Sequence, residues 1–171
     1  YQQALTIGEA SGDDGRILTA LQNLGVVHHE RGALTEALAT YREAFALAEA
    51  LDQPGRVVQL SGNLGNLWRY LGELDEARRT LQRGLELARR EQNRFMEGAI
   101  LTLLGEVALA GEMWGQAERL LLEAIQATQD TQSAAEEIEA RIDLARLYLE
   151  RQAFVQARAM ASAAVEIAER L

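Results

Sequence analysis

Apolar side chains recur at three- and four-residue steps along the whole chain, as in Leu38, Tyr41, Phe45 and Ala48, and again in Leu81, Leu85 and Ala88. This spacing puts them on one face of a helix, and no segment alternates with the period of two that a strand requires. Polar and glycine-containing breaks interrupt the pattern at 31–33, 52–55, 71–73 and 91–93. The pattern predicts helices at about 14–31, 34–51, 55–71, 74–91, 94–111, 114–129, 134–151 and 154–170, each about 25 Å long from the helical rise. Thr35 and Asp75 are the expected N-caps, with Glu36 and Glu76 in first turns whose dipole favours carboxylates.

The pattern repeats with a period of 40 residues. Asn23-Leu24-Gly25 returns as Asn63-Leu64-Gly65, as Leu103-Leu104-Gly105 and, weakened, as Asp143-Leu144-Ala145. Four residues beyond each leucine stand His28, Trp68, Ala108 and Tyr148, and farther on Ala37, Ala77, Ala117 and Ala157. The following turn pairs Tyr41, Leu81, Leu121 and Ala161 with the small residues Ala44, Gly84, Ala124 and Ala164. Large side chains set against small ones are what interlocking helices need.

The Leu-Gly-x-x-aromatic and Ala-x-x-x-aromatic spacings resemble the tetratricopeptide repeat (TPR) over nearly the whole chain. The period is longer than the usual 34-residue unit, and the family's late proline is missing; the lone Pro54 falls in a break between units. The longer unit is similar to repeats of bacterial signal-transduction regulators and of cell-polarity scaffolds. The resemblance implies an all-α, right-handed superhelical solenoid of antiparallel helix pairs. Four pairs are expected at 14–51, 54–91, 94–131 and 134–171. Tyr1, Ala4, Leu5 and Ile7, in register with Tyr41, Ala44, Phe45 and Leu47, make 1–11 the second helix of a truncated repeat. The native chain is expected to continue in both directions, or to self-associate through its terminal helices, where Val155, Met160, Val165 and Ile167 would pack on a neighbour.

In this family the first helix of each pair lines the concave face. The resemblance therefore implies a peptide-binding groove over Gln22, Asn23, His29, Asn63, Asn66, Arg69, Tyr70, Glu106 and Arg146, with Asp143 and Glu150 alongside. Asn23 and Asn63 are one period apart, and their carboxamides can hold an extended peptide or pair with neighbouring helix ends. Arg69 and Arg146 are expected in ion pairs with Glu73 and Glu150, four residues on along their own helices. The family's clamp for a terminal carboxylate uses lysine; all 17 basic residues here are arginine, so that activity is not carried over.

Composition narrows the function further. With 171 residues and 48% hydrophobic side chains the chain can bury a real core. The absence of cysteine removes disulfides, thiolate metal sites and thiol nucleophiles, and fits a cytoplasmic address. A net charge of −9 opposes nucleic-acid binding and docking on anionic membranes, and no apolar run is long enough to span a bilayer. Arg78, Arg79, Arg83, Arg89 and Arg90 form the densest basic stretch, but interleaved glutamates read as a solvated ion-paired face.

Candidate chemistry is sparse. His28 and His29 point about 100° apart on a helix and cannot share one metal ion. His28 takes the packing position of Trp68 and Tyr148, which predicts a core histidine. Gly12-Asp13-Asp14-Gly15 reads as a turn and helix cap, and Glu136, Glu137 and Glu139 as a dipole-stabilised first turn. No cofactor or catalytic set is expected. The sequence points to a non-enzymatic protein-binding module in a larger bacterial protein; the alternative is an architectural or sensory segment of a regulator, acting by self-association or contact with neighbouring domains.

Overall fold

The computed structural model describes residues 3, 6, 8, 10, 12–129, 131 and 133–170. Gln3, Thr6, Gly8 and Ala10 are helical; Tyr1, Ala4, Leu5 and Ile7, on which the expected truncated repeat rests, lie outside the described residues, as does Leu171. Eight helices follow: α1 (Asp14–Glu30), α2 (Leu34–Ala50), α3 (Pro54–Tyr70), α4 (Leu74–Arg90), α5 (Arg94–Ala110), α6 (Trp114–Gln129), α7 (Ala134–Glu150) and α8 (Phe154–Ala168). Among the described residues there is no strand. Each helix packs on the one before it, so the chain is an all-α solenoid of antiparallel pairs.

The short turns share one geometry. After α1, the Gly32 amide donates to the His29 carbonyl and the Ala33 amide to the His28 carbonyl; the same pair of bonds recurs after α2, α3, α4, α5 and α7. This double bond from the first residues past a helix satisfies its last carbonyls and requires a left-handed residue at the bend. Gly12, Gly32 and Gly72 supply it, but Asp52, Gln92, Glu112 and Gln152 also sit at positive φ, between 48° and 57°. Side-chain capping is rarer than expected. Asp13 accepts from the Arg16 amide and Asn93 from the Met96 amide, but α2 and α4 begin after Ala33 and Glu73 without a side-chain cap. Thr35 and Asp75 therefore fall inside the first turns, and Pro54 is the first residue of α3, where its missing N–H costs nothing.

Within each pair, size complementarity sets the approach. Gly25 faces Tyr41, Gly65 faces Leu81 and Gly105 faces Leu121 so closely that an added Cβ would overlap the facing side chain. Tyr41, Leu81 and Leu121 are almost fully buried, as are Ala37, Ala77 and Ala117 in the same interfaces. Two main cores result, one around Leu18, Leu21, Tyr41, Leu60 and Leu67 and one around Leu81, Leu101, Leu104, Leu121 and Leu144; Trp68 and Leu87 pack against both. His28 is only half-buried, as are Trp68 and Tyr148 in the same register, so it is an interface residue and not a core histidine.

The two sides of the solenoid differ. First helices approach one another directly, α3 against α5 and α5 against α7. Second helices are splayed and bridged by long side chains, Arg83 to Glu49 between α4 and α2 and Arg89 to Glu123 between α4 and α6. The closely spaced first helices thus form the inner face. Every arginine of the basic stretch has a carboxylate partner: Arg78 Asp75, Arg79 Glu76, Arg83 Glu49, Arg89 Glu97 and Glu123, and Arg90 Glu91.

Candidate functional site

The inner face is built from one side of α1, α3, α5 and α7, and its N-terminal part is tied up internally. Gln22 is buried and accepts a 2.7 Å hydrogen bond from Arg56 Nη1, which joins α1 to α3 and takes its carboxamide out of the groove. Asn23 and Asn63 are half-buried, and among the described residues neither side chain has a hydrogen-bond partner. The helix-end pairing open to them is not formed. His29 meets Tyr70 edge to face, with ring centroids 5.4 Å apart.

The C-terminal part opens into a cavity of about 580 Å³, and here the structure gathers Arg69, Tyr70, Glu106 and Arg146 together with Asp143 and Glu150. Asn66 stands beside it and accepts a 2.8 Å hydrogen bond from Arg69 Nη2. Leu109, Leu147 and Trp114 supply apolar wall. Trp114 is not legible from sequence as a groove residue, because it opens a second helix, α6, and only the tight turn at 111–113 carries it inward.

The ion pairs differ from the expected ones. Arg69 turns to Glu106 on the next first helix and not to Glu73, with Nε 3.1 Å from Oε2. The two atoms are not aligned as a hydrogen bond, and each is buried without a hydrogen-bond partner. The Arg69 guanidinium also lies 4.8 Å from the Tyr70 ring centre. Arg146 pairs backward with Asp143 at 3.3 Å and not forward with Glu150. A residue three positions back on a helix is as near as one four ahead, and Asp143, 5% exposed, needs the compensation more.

Glu106 and Asp143 line this cavity, and Glu139 acts on both electrostatically. Burial pushes Glu106 up to about 6 against the pull of Arg69, with Asp143 and Glu139 adding to the rise. Burial raises Asp143 too, despite Arg146, and raises Glu139, helped by Glu136 and Asp143. The site can therefore exchange carboxylate repulsion for contact with a ligand, and its arginines present planar donors. Among the described residues no three His, Asp or Glu side chains stand where they could hold a metal ion. No helix of the described residues is long and apolar enough to cross a membrane.

None of the curated proteins matches the chain in sequence. Solved structures match its fold. BtubC (BKLC) from P. vanneervenii superposes with a TM-score of 0.83 at 19% identity, covering 99% of this chain and 70% of that one. The apo form of RapI gives 0.75 at 14% identity, covering 96% of this chain and 47% of that one. A putative kinesin light chain from Podosopora anserina, with nearly identical TPR-like repeats, gives 0.73 at 16% identity, covering 99% and 84%. The family described as the MalT-like TPR region matches residues 1–171 in full, and the chain belongs to it.

Proposed function

We propose that the chain is a non-enzymatic protein-interaction module that takes a peptide or helix of a partner on its inner face, in the cavity between α3, α5 and α7. The supporting observation is the composition of that cavity: a half-buried Arg69 and an exposed Arg146 facing Glu106 and Asp143 beside Tyr70, Trp114 and Leu109. Rigid helices hold these polar anchors on an apolar wall, so little order has to be created on binding. Tyr70, with 61% of its surface exposed, is the natural aromatic anchor.

The test is binding of the purified chain to a broad peptide library, in parallel with a variant carrying Arg69→Ala, Tyr70→Ala and Arg146→Ala. Saturable binding that disappears in the folded variant supports the inner-face site. Binding by neither protein sinks it.

A second reading, an architectural segment acting through self-association or contact with neighbouring domains, is supported by α8, where Phe154, Val155 and Val165 are 65%, 82% and 55% exposed. A mass that grows with concentration and returns to monomer in a Val155→Glu variant, together with a groove silent to peptides, would favour it.

A further inference from the structure

On the side opposite the inner face, the gap between α2 and α4 holds a second cavity of about 290 Å³. Its walls carry two half-buried aromatic rings, Phe45 from α2 and Trp68 from α3, and three arginines, Arg42, Arg79 and Arg83. The Arg42 guanidinium lies 4.9 Å from the centre of the Trp68 ring and that of Arg83 lies 5.3 Å from the Phe45 ring. Contact with a ring holds a guanidinium in place without consuming its N–H donors, which stay in the guanidinium plane for a carboxylate. Arg42 has no carboxylate partner among the described residues, while Arg83 reaches Glu49 and Arg79 reaches Glu76.

The repeat supplies an internal control. One period on, Gln82, Leu85, Ala108, Arg119 and Glu123 stand where Arg42, Phe45, Trp68, Arg79 and Arg83 stand; two periods on, the same places hold Leu122, Ile125, Tyr148, Ala159 and Ala163. Those units pair their helices in the same way, so helix stacking does not require Arg42, Phe45 and Arg83 here; Arg79 recurs one period on as Arg119, and the Trp68 place is aromatic again at Tyr148. Glu76 lines the same slot beside Arg79, and Glu49 pairs with Arg83, so the three arginines leave a local positive excess at Arg42 in a chain whose net charge is −9.

We propose that this outer slot is a docking site, separate from the inner-face groove, for an acidic peptide segment of a partner. Carboxylates of the segment are held by Arg42, Arg79 and Arg83, and an apolar side chain between them rests on Trp68 and Phe45. The carboxylates replace Glu76 and Glu49 as partners of Arg79 and Arg83, and give Arg42 a partner. The complementary charges steer the encounter, so the affinity falls as salt rises.

The probe is an array of capped hexapeptides that alternate Asp or Glu with Leu or Phe, with arrays carrying Arg in place of the acids, and with inorganic phosphate, as comparisons. Binding to the whole chain is followed by calorimetry and by tryptophan fluorescence. The expected result is saturable binding of acidic peptides alone, weakened at least tenfold by Arg42→Gln with Arg79→Gln. Neither side chain is part of the buried core, and an unchanged melting curve shows that the variant folds. Glu76→Gln frees Arg79 and is expected to tighten binding severalfold. The inner-face variant Arg69→Ala with Tyr70→Ala should bind as the parent does, which separates failure of this site from failure of the groove. Absence of binding by every acidic peptide, equal binding of the basic array, saturation by phosphate alone, or binding indifferent to Arg42 and Arg79 would each overturn the proposal.

Discussion

Gly65 and Leu81 compete for one volume: a Cβ on Gly65 would fall 2.5 Å from Leu81 Cδ2, nearer than atoms pack, and Leu81 is fully buried with no room to retreat. Ala is the better helix former, so on an open helix surface Gly→Ala stabilises by about 0.5 to 1 kcal/mol. Here overpacking dominates, and Gly65→Ala is expected to destabilise the chain by about 1 to 3 kcal/mol. Gly55 and Gly115, with nothing within 4 Å of an added Cβ, are the controls, and Ala at either should raise the melting temperature. Chemical denaturation of the three variants checks the sign at each position.

Gln92 and Glu112 bend the chain at φ 54° and 55°, in the register where glycine stands at Gly12 for Gln92 and at Gly32 and Gly72 for Glu112. An L side chain there costs about 1 kcal/mol or somewhat more against its β-carbon. Gln92→Gly and Glu112→Gly are each expected to stabilise by up to about 1 kcal/mol, less the extra freedom glycine brings to the unfolded chain. Both side chains are exposed, so no packing is lost. A fall in denaturation midpoint for both would show that the turns are not strained.

The helix register was legible because the buried positions repeat: a Leu, a Gly and an Ala at fixed offsets leave one way to pair two helices. The left-handed turn residues were legible only as glycine. At 92, 112 and 152 the same bend is imposed by the helices on either side, and local propensity yields to that tertiary demand. Thr35 and Asp75 failed as caps for a related reason: the turn carries its own backbone hydrogen bonds, and the helix starts before them. On the inner face, register selected Arg69, Tyr70, Glu106 and Arg146, all of which line one cavity. It could not say that Arg69 would reach across to Glu106 or that Trp114 would lean in from α6, since both depend on the distance between helices and not on position along one.

Leu64, 5% exposed in the N-terminal core, and Asn66 two residues on test the register directly. Leu64→Ala is expected to cost about 2 to 5 kcal/mol as a core truncation with a residual cavity. Asn66→Ala removes only an acceptor for Arg69 on the inner face and should stay within about 0.5 kcal/mol. Equal melting curves for Leu64→Ala and the parent would refute the assignment of the inner and buried faces of α3.

The carboxyl of Glu106, raised by burial from its ordinary 4.5 to about 6, links the inner face to pH. Between these values the folded state holds a proton that the unfolded state has released, so this group's contribution is fully present below 4.5 and is lost as pH rises through 6. At neutral pH the folded chain carries an ionised, mostly buried Glu106 at a cost of about 1 to 2 kcal/mol. Glu106→Gln keeps the shape, and the loss of attraction to Arg69 is already contained in the net upward shift. The variant should therefore melt higher than the parent at pH 7, and the two curves should converge as pH falls toward 4.5. A residual slope of the same sign is expected in the variant, because burial also raises Asp143 and Glu139. Glu97 acts in the opposite sense: burial would raise it, but hydrogen bonds from Arg89 and Arg94 outweigh burial and hold it below its ordinary value. Its contribution is present above the ordinary carboxylate range and is lost on further acidification, so both proteins should fall together at the acid end. Melting curves of parent and variant that run parallel from pH 4.5 to 7.5 would show that Glu106 ionises in the fold as it does in the unfolded chain.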